Sequence, residues 1–151
     1  MSGIIGGAGS RSGVIGTTEL DYEEGTFTAT LKGGDSEPGT LITSDYLGRE
    51  CGLYTKIGDL VHIHIAFYNK NTTGYSGQVY IQGFPFTPLE AHGFTIASYN
   101  MAEWTDQLSS ELNATALYLN NMRTDATWIG ATHGAKAGCY LYITGTYKPS
   151  S

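Results

Sequence analysis

Two imidazoles two residues apart are the first arrangement in this sequence that could do chemistry. His62-Ile63-His64 would set both rings on one side of a strand. A metal could use that pair if a third ligand arrived from a neighbouring strand. The candidates for it, His92, His133 and Glu50, stand in loop-like sequence without a supporting pattern. The pair is therefore expected to serve as hydrogen-bonding interface residues, with no metal and no cofactor. Glu103 and Asp106 could be a carboxylate pair for glycoside hydrolysis, but closeness in sequence does not set the carboxylate spacing that this reaction needs. They are expected to be solvated loop acids. The Gly6-Gly7-Ala8-Gly9-Ser10-Arg11-Ser12-Gly13 stretch invites a phosphate-loop reading. It lacks the Gly-Lys-Ser/Thr step, the preceding strand and the following helix. No Gly-x-Ser-x-Gly elbow occurs, and neither cysteine has a histidine partner in a recognisable pattern. The sequence does not read as an enzyme.

Three loop aromatics suit a different chemistry. Tyr75 falls at the tip of the polar 69–77 stretch, Trp104 stands beside Asp106, and Trp128 follows Arg123, Thr124 and Asp125. A flat ring covers the apolar C–H face of a sugar while neighbouring carboxylates and amides bond its hydroxyls. Tyr75, Trp104, Asp106 and Trp128 are thus candidate glycan contacts. The competing reading is that such large rings belong to the core or to an interface.

These residues need a scaffold, and its pattern is β. The Thr26, Thr28, Thr30 series alternates with Phe27, Ala29 and Leu31, which predicts one strand from Gly25 to Lys32. A short strand is expected over Thr40–Thr43. Leu53–Ile57 and Leu60–Tyr68 flank Gly58-Asp59 and read as a hairpin. Further strands are expected over Gln78–Gln82, Gly93–Met101, Asn113–Leu119, Thr127–Ile129 and Gly138–Tyr147, with Asn120-Asn121 as a turn. Glu103–Glu111 fits either a loop or one helical turn. Eight or nine short strands, no assured helix and no fixed repeat point to an antiparallel sandwich or jelly roll.

Two of those strands have unusual second faces. Val61, Ile63, Ile65 and Phe67 make one apolar side, and the other carries Leu60, His62, His64, Ala66 and Tyr68. In the last strand Cys139, Leu141 and Ile143 alternate with Tyr140, Tyr142 and Thr144. A sheet face open to water ordinarily carries charged residues. Here it carries rings, hydroxyls and small groups. A single sandwich has one inner layer to fill, so the spare face is expected to meet another copy of the chain. Leu60, His62, His64, Tyr68, Tyr140 and Tyr142 are the candidate interface residues.

Composition agrees. The 151 residues suit one domain, and only 15% are charged, below the quarter usual for soluble domains. A subunit that hides surface against copies of itself tolerates that composition. The net charge of −6, with eight basic residues all isolated from one another, excludes a duplex-binding surface. No apolar stretch approaches the roughly 20 residues that cross a bilayer, and the N-terminus does not read as a secretory signal. The sequons Asn71-Thr72-Thr73 and Asn113-Ala114-Thr115 are then chance matches. Cys51 and Cys139 are expected to be free thiols in a reducing cytoplasm. Residues 1–16 stand apart, with six glycines, Ile4, Ile5, Val14 and Ile15, and a single charge. They are too apolar for a polar tail and too glycine-rich for a helix. We read them as an arm that docks on a neighbour, ahead of a β domain over 17–151.

Three phrases give the chain a resemblance. Tyr22-Glu23-Glu24-Gly25-Thr26-Phe27-Thr28, Gly52-Leu53-Tyr54-Thr55-Lys56-Ile57-Gly58 and Ile81-Gln82-Gly83-Phe84-Pro85-Phe86 together resemble a module of bacteriophage tail fibres and other particle appendages. The module usually has Trp at Phe27, Pro at Ala29 and Leu at Phe84. Its Gly-x-Tyr-x-Lys-x-Gly-x-x-Val phrase is matched fully by Gly52 to Val61. The resemblance implies a jelly-roll-like homotrimer on a virion assembled in a bacterial cytoplasm. It further implies contact with host surface glycans, or a stabilising role as a capsid or tail decoration. Iron-binding fibre repeats carry glycine where this chain has Leu60. The sequence shows no shaft or coiled coil, so attachment to other virion proteins is expected through the 1–16 arm, through the subunit face, or not at all.

Overall fold

The computed structural model describes residues 21–44, 52–101, 108–122 and 129–150. Two antiparallel sheets stack as a sandwich. The first contains β1 (Tyr22–Phe27), β3 (Gly52–Ile57), β4 (Leu60–Lys70), β10 (Cys139–Tyr147) and β6 (Thr95–Tyr99), in the order β1-β3-β4-β10-β6. The second contains β2 (Thr30–Gly33), β5 (Val79–Gln82), β8 (Ala116–Asn121) and β7 (Leu108–Asn113), in the order β2-β5-β8-β7, with β9 (Ile129–Gly130) also on β8. The all-β class and the two-sheet architecture thus agree with the sequence reading.

Alternation builds the core. Val61, Ile63, Ile65 and Phe67 of β4 and Leu141, Ile143 and Tyr147 of β10 point inward from the first sheet. Leu31, Val79, Ile81, Leu112, Leu117 and Leu119 meet them from the second. Each is essentially inaccessible to water, and burying a side chain of this size contributes about 1.5–3 kcal/mol. Tyr147 donates its hydroxyl to the Phe86 carbonyl at 3.0 Å, and burial pushes its phenol up to about 12, so it stays neutral. The Gly58-Asp59 turn joins β3 to β4 as expected, with Gly58 at φ 56°.

The expected Gly25–Lys32 strand is two strands in different sheets. The chain leaves the first sheet after Phe27 and enters the second at Thr30. Phe27, Ala29 and Leu31 keep turning inward through this corner, so the alternation gives no sign of the break. Ser44 secures the corner, because its amide donates to the Ala29 carbonyl and its hydroxyl accepts from the Ala29 amide. Over Thr40–Thr43 there is only a single bridge from Thr43 to Thr30.

A second correction concerns the end of β7. Leu108 pairs with Asn121 and Asn113 with Ala116, so the turn is Ala114-Thr115 and Asn120-Asn121 lie within β8. Ala114 takes the left-handed conformation, φ 51°, that asparagine or glycine would adopt more readily. The ambiguous Glu103–Glu111 stretch contributes strand from Leu108 onward. Cys139 is buried and free, and Cys51 lies outside the described residues.

Candidate interaction face

Register alone determines which side chains share the outer side of the five-stranded sheet. Strand pairing arranges them in rows. Tyr22, Ile57 and Leu60 form the first row. Glu24, Thr55, His62 and Thr146 form the second. Thr26, Leu53, His64, Thr144 and Thr95 form the third. Ala66, Tyr142 and Ala97 follow, and Tyr140 and Tyr99 pair beyond them with Tyr68 alongside. At about 3.3 Å per residue and 4.8 Å per strand, these rows cover roughly 27 Å by 19 Å.

All six sequence-predicted interface residues stand on this face. Four residues that sequence reading missed stand there with exposed or half-exposed apolar area: Tyr22, Leu53, Ile57 and Tyr99. Ile57 was accessible from the sequence in principle, because a two-residue Gly58-Asp59 turn puts it opposite Leu60. Tyr22 and Tyr99 needed the non-local order of the sheet. In the single chain the large side chains are open to water: Leu60 is 55% exposed, Tyr68 58% and Tyr99 64%.

The electrostatics are sparse. Glu24 is the one charged side chain in these rows. Its carboxylate already accepts the Tyr22 hydroxyl at 2.6 Å, a bond that raises the Tyr22 phenol above its ordinary value. The His62 ring lies against two hydroxyls, Nδ1 at 3.1 Å from Thr146 Oγ1 and Nε2 at 3.4 Å from Thr144 Oγ1. Thr144 also donates to the Ile63 carbonyl at 3.2 Å. The in-register neighbours of His62 and His64 are Thr55, Leu53, Thr144 and Thr146, none of them a metal ligand of the usual kind. Among the described residues no group of three His, Cys, Asp or Glu side chains is gathered to hold a metal. At the far end Tyr140 meets Tyr68 edge to face, with centroids 5.0 Å apart, and Tyr99 lies 6.2 Å away. Loss of water, then the neighbouring Tyr68 and Tyr142, raises the Tyr140 phenol and keeps it neutral.

Tyr75 is not a glycan contact at a loop tip. It is only 2% exposed and belongs to the core. Its hydroxyl accepts the Ile42 amide at 2.8 Å, and its ring lies over His133 with centroids 4.9 Å apart. The polar composition of 69–77 concealed a chain that folds back, with the Thr72 hydroxyl bonded to the Lys136 carbonyl beneath it. Trp104, Asp106 and Trp128 lie outside the described residues, as do Ile4, Ile5, Val14, Ile15, Glu50 and Glu103.

The His133 contact carries a pH dependence. Its Nε2 is 2.8 Å from the Lys32 carbonyl, which can only accept, so Nε2 holds the proton and Nδ1 is bare. Nδ1 is buried without a hydrogen-bond partner among the described residues. Burial, the dominant cause, holds the imidazole below its ordinary value of 6.5. The unfolded chain therefore binds a proton that the folded chain refuses. Stability from this group is complete above about pH 6.5 and falls as pH drops toward the lower folded value, with a slope of at most about 1.4 kcal/mol per pH unit. Urea unfolding of wild type and His133→Gln at pH 7.5, 6.5 and 5.5 should show the difference between them narrowing on the acid side. A constant difference would remove His133 from the account.

Neither a protein-family model nor a curated protein matches this chain.

Proposed function

We propose that this chain is a structural subunit of a bacteriophage particle, a fibre or appendage domain that associates with copies of itself through the outer face of the five-stranded sheet. The observation that carries the proposal is the makeup of that face. It is broad, solvent-open in one chain and rich in tyrosine. Its single carboxylate is bonded to a phenol. A sheet face meant for water would carry lysines and glutamates, whereas the centre of a subunit interface is depleted of them and enriched in tyrosine. An exposed patch of this size on a soluble chain marks an interaction site.

The resemblance of the Tyr22–Thr28, Gly52–Val61 and Ile81–Phe86 phrases to phage appendage modules supports the particle, the jelly-roll-like topology and a homotrimeric assembly. In this reading the assembled domain is non-enzymatic, contacts other virion proteins through residues 1–16 and meets host surface glycans with its loops. A decoration role on capsid or tail is the alternative that the same resemblance supports. An antibody against the purified chain, imaged on intact particles, tests the proposal. Label at the distal end of a tail structure is the expected result, and label over the head lattice would favour decoration. A chain found on no particle would overturn the viral role.

A further inference from the structure

The two sheets have four edges, and three of them are closed or guarded. At β1 the edge carries Glu23 and Glu24 and follows Asp21, charges that discourage strand pairing. The β2 edge is four residues long and is covered by the 41–44 segment, with the Leu31 amide donating to the Ile42 carbonyl and the Ser44 amide to the Ala29 carbonyl. The β7 edge is covered by the 92–94 segment. His92 and Leu112 exchange both backbone bonds there, and the Phe94 amide donates to Ser110.

The fourth edge is β6. Its sequence is Thr95-Ile96-Ala97-Ser98-Tyr99, without a charge, a proline or a glycine. It pairs with β10 on one side, and all of it but Ile96 is exposed. Among the described residues nothing pairs with its other side. A bare, uncharged edge is a template for another strand.

We propose that β6 is a strand acceptor, completed in the assembled protein by residues 14–18 of a neighbouring copy. This rests on the self-association proposed above. Val14-Ile15-Gly16-Thr17-Thr18 equals β6 in length, is uncharged, and has β-branched side chains at four of its five positions. Its geometry requires a second chain. Thr18 is three residues before Asp21, a reach of about 11 Å at most. Asp21 enters β1, at the opposite end of the sheet from β6. Four strand spacings, roughly 19 Å, separate the two edges. The segment can therefore not lie along its own β6, but it can lie along the β6 of a neighbour placed beside β1. Such a head-to-tail contact closes into a ring when the rotation permits.

Amide hydrogen exchange on the full chain tests this, because it reads the β6 backbone directly. In the wild-type assembly the β6 amides that point away from β10 should exchange at least about tenfold more slowly than in the full-length Val14→Asp, Ile15→Asp variant. A synthetic peptide of residues 12–20 should restore protection in the variant and bind it saturably, with unchanged circular dichroism throughout. Equal exchange in the two assembled chains overturns strand addition while leaving self-association intact. Protection that persists in the variant, as in β6-to-β6 pairing between copies, overturns it as well. A wild-type chain that sediments as a monomer overturns both this inference and the reading on which it rests.

Discussion

Tyr142→Lys is expected to abolish the proposed self-association and leave a folded monomer. Tyr142 stands in the middle of the outer face, in register between Ala66 and Ala97, and is 36% exposed in the single chain. Small neighbours on both sides let a lysine extend into water without disturbing the sandwich. In the assembly the same lysine would meet a partner face whose one carboxylate, Glu24, already accepts a phenol. The substitution removes a central tyrosine, one of the residue types enriched among those that carry interface energy, and buries an ammonium without a partner. The expected loss is about 2–4 kcal/mol per contact, or roughly 30- to 1,000-fold in the dissociation constant. Sedimentation velocity reads the loss, and an unchanged far-ultraviolet spectrum shows that the fold survives. A variant that associates like wild type would locate the interface elsewhere.

Gly83→Ala should act on the fold instead. Gly83 has φ 96°, a conformation that a side chain strains, and a methyl there would lie 2.2 Å from the Thr28 carbonyl oxygen. That oxygen is backbone, at the corner where the chain passes from β1 to β2, and cannot swing aside. Backbone strain and overpacking together should cost about 2–5 kcal/mol and lower the thermal midpoint by about 5–20 °C. Gly39→Ala is the matched control, since a methyl there meets nothing within 4 Å and should change stability by less than about 0.5 kcal/mol. Equal midpoints for the two variants would mean that the corner yields and that the close approach at Gly83 is not required.

What could be read in advance follows from how local each feature is. The inward series Val61, Ile63, Ile65, Phe67 and the Gly58-Asp59 turn are encoded within a dozen residues, and the β3–β4 hairpin forms as that pattern requires. The β1–β2 corner is local too, yet it left no mark, because Phe27, Ala29 and Leu31 keep one alternation across two sheets. Asn120-Asn121 has turn composition, but pairing with Leu108 and Ser109 draws it into β8 and shifts the bend to Ala114. Strand pairing across the hairpin overrode single-residue preference there. Tyr75 was misread for a related reason, since its ring is buried by Ile42 and His133, 33 and 58 positions distant.

The outer face was legible only in halves. Alternation in β4 and β10 marks Leu60, His62, His64, Tyr68, Tyr140 and Tyr142 as a second, uncharged side. It does not say that the two strands are neighbours, which their register establishes. Tyr22 and Ile57 at one end, and Ala97 and Tyr99 at the other, join the face through strand order across more than 100 residues of chain. The single carboxylate of the face is visible only once all five strands are assembled.

The mass of the purified wild-type chain in solution tests the central claim most directly. Sedimentation equilibrium at micromolar concentration should give a species of three times the chain's 16.2 kDa, with Tyr68, Tyr99 and Tyr142 shielded from a water-soluble phenol reagent. A stable, folded 16.2 kDa species whose tyrosines react freely would contradict it, since the tyrosine-rich face with its single carboxylate would then be open to water with nothing to cover it.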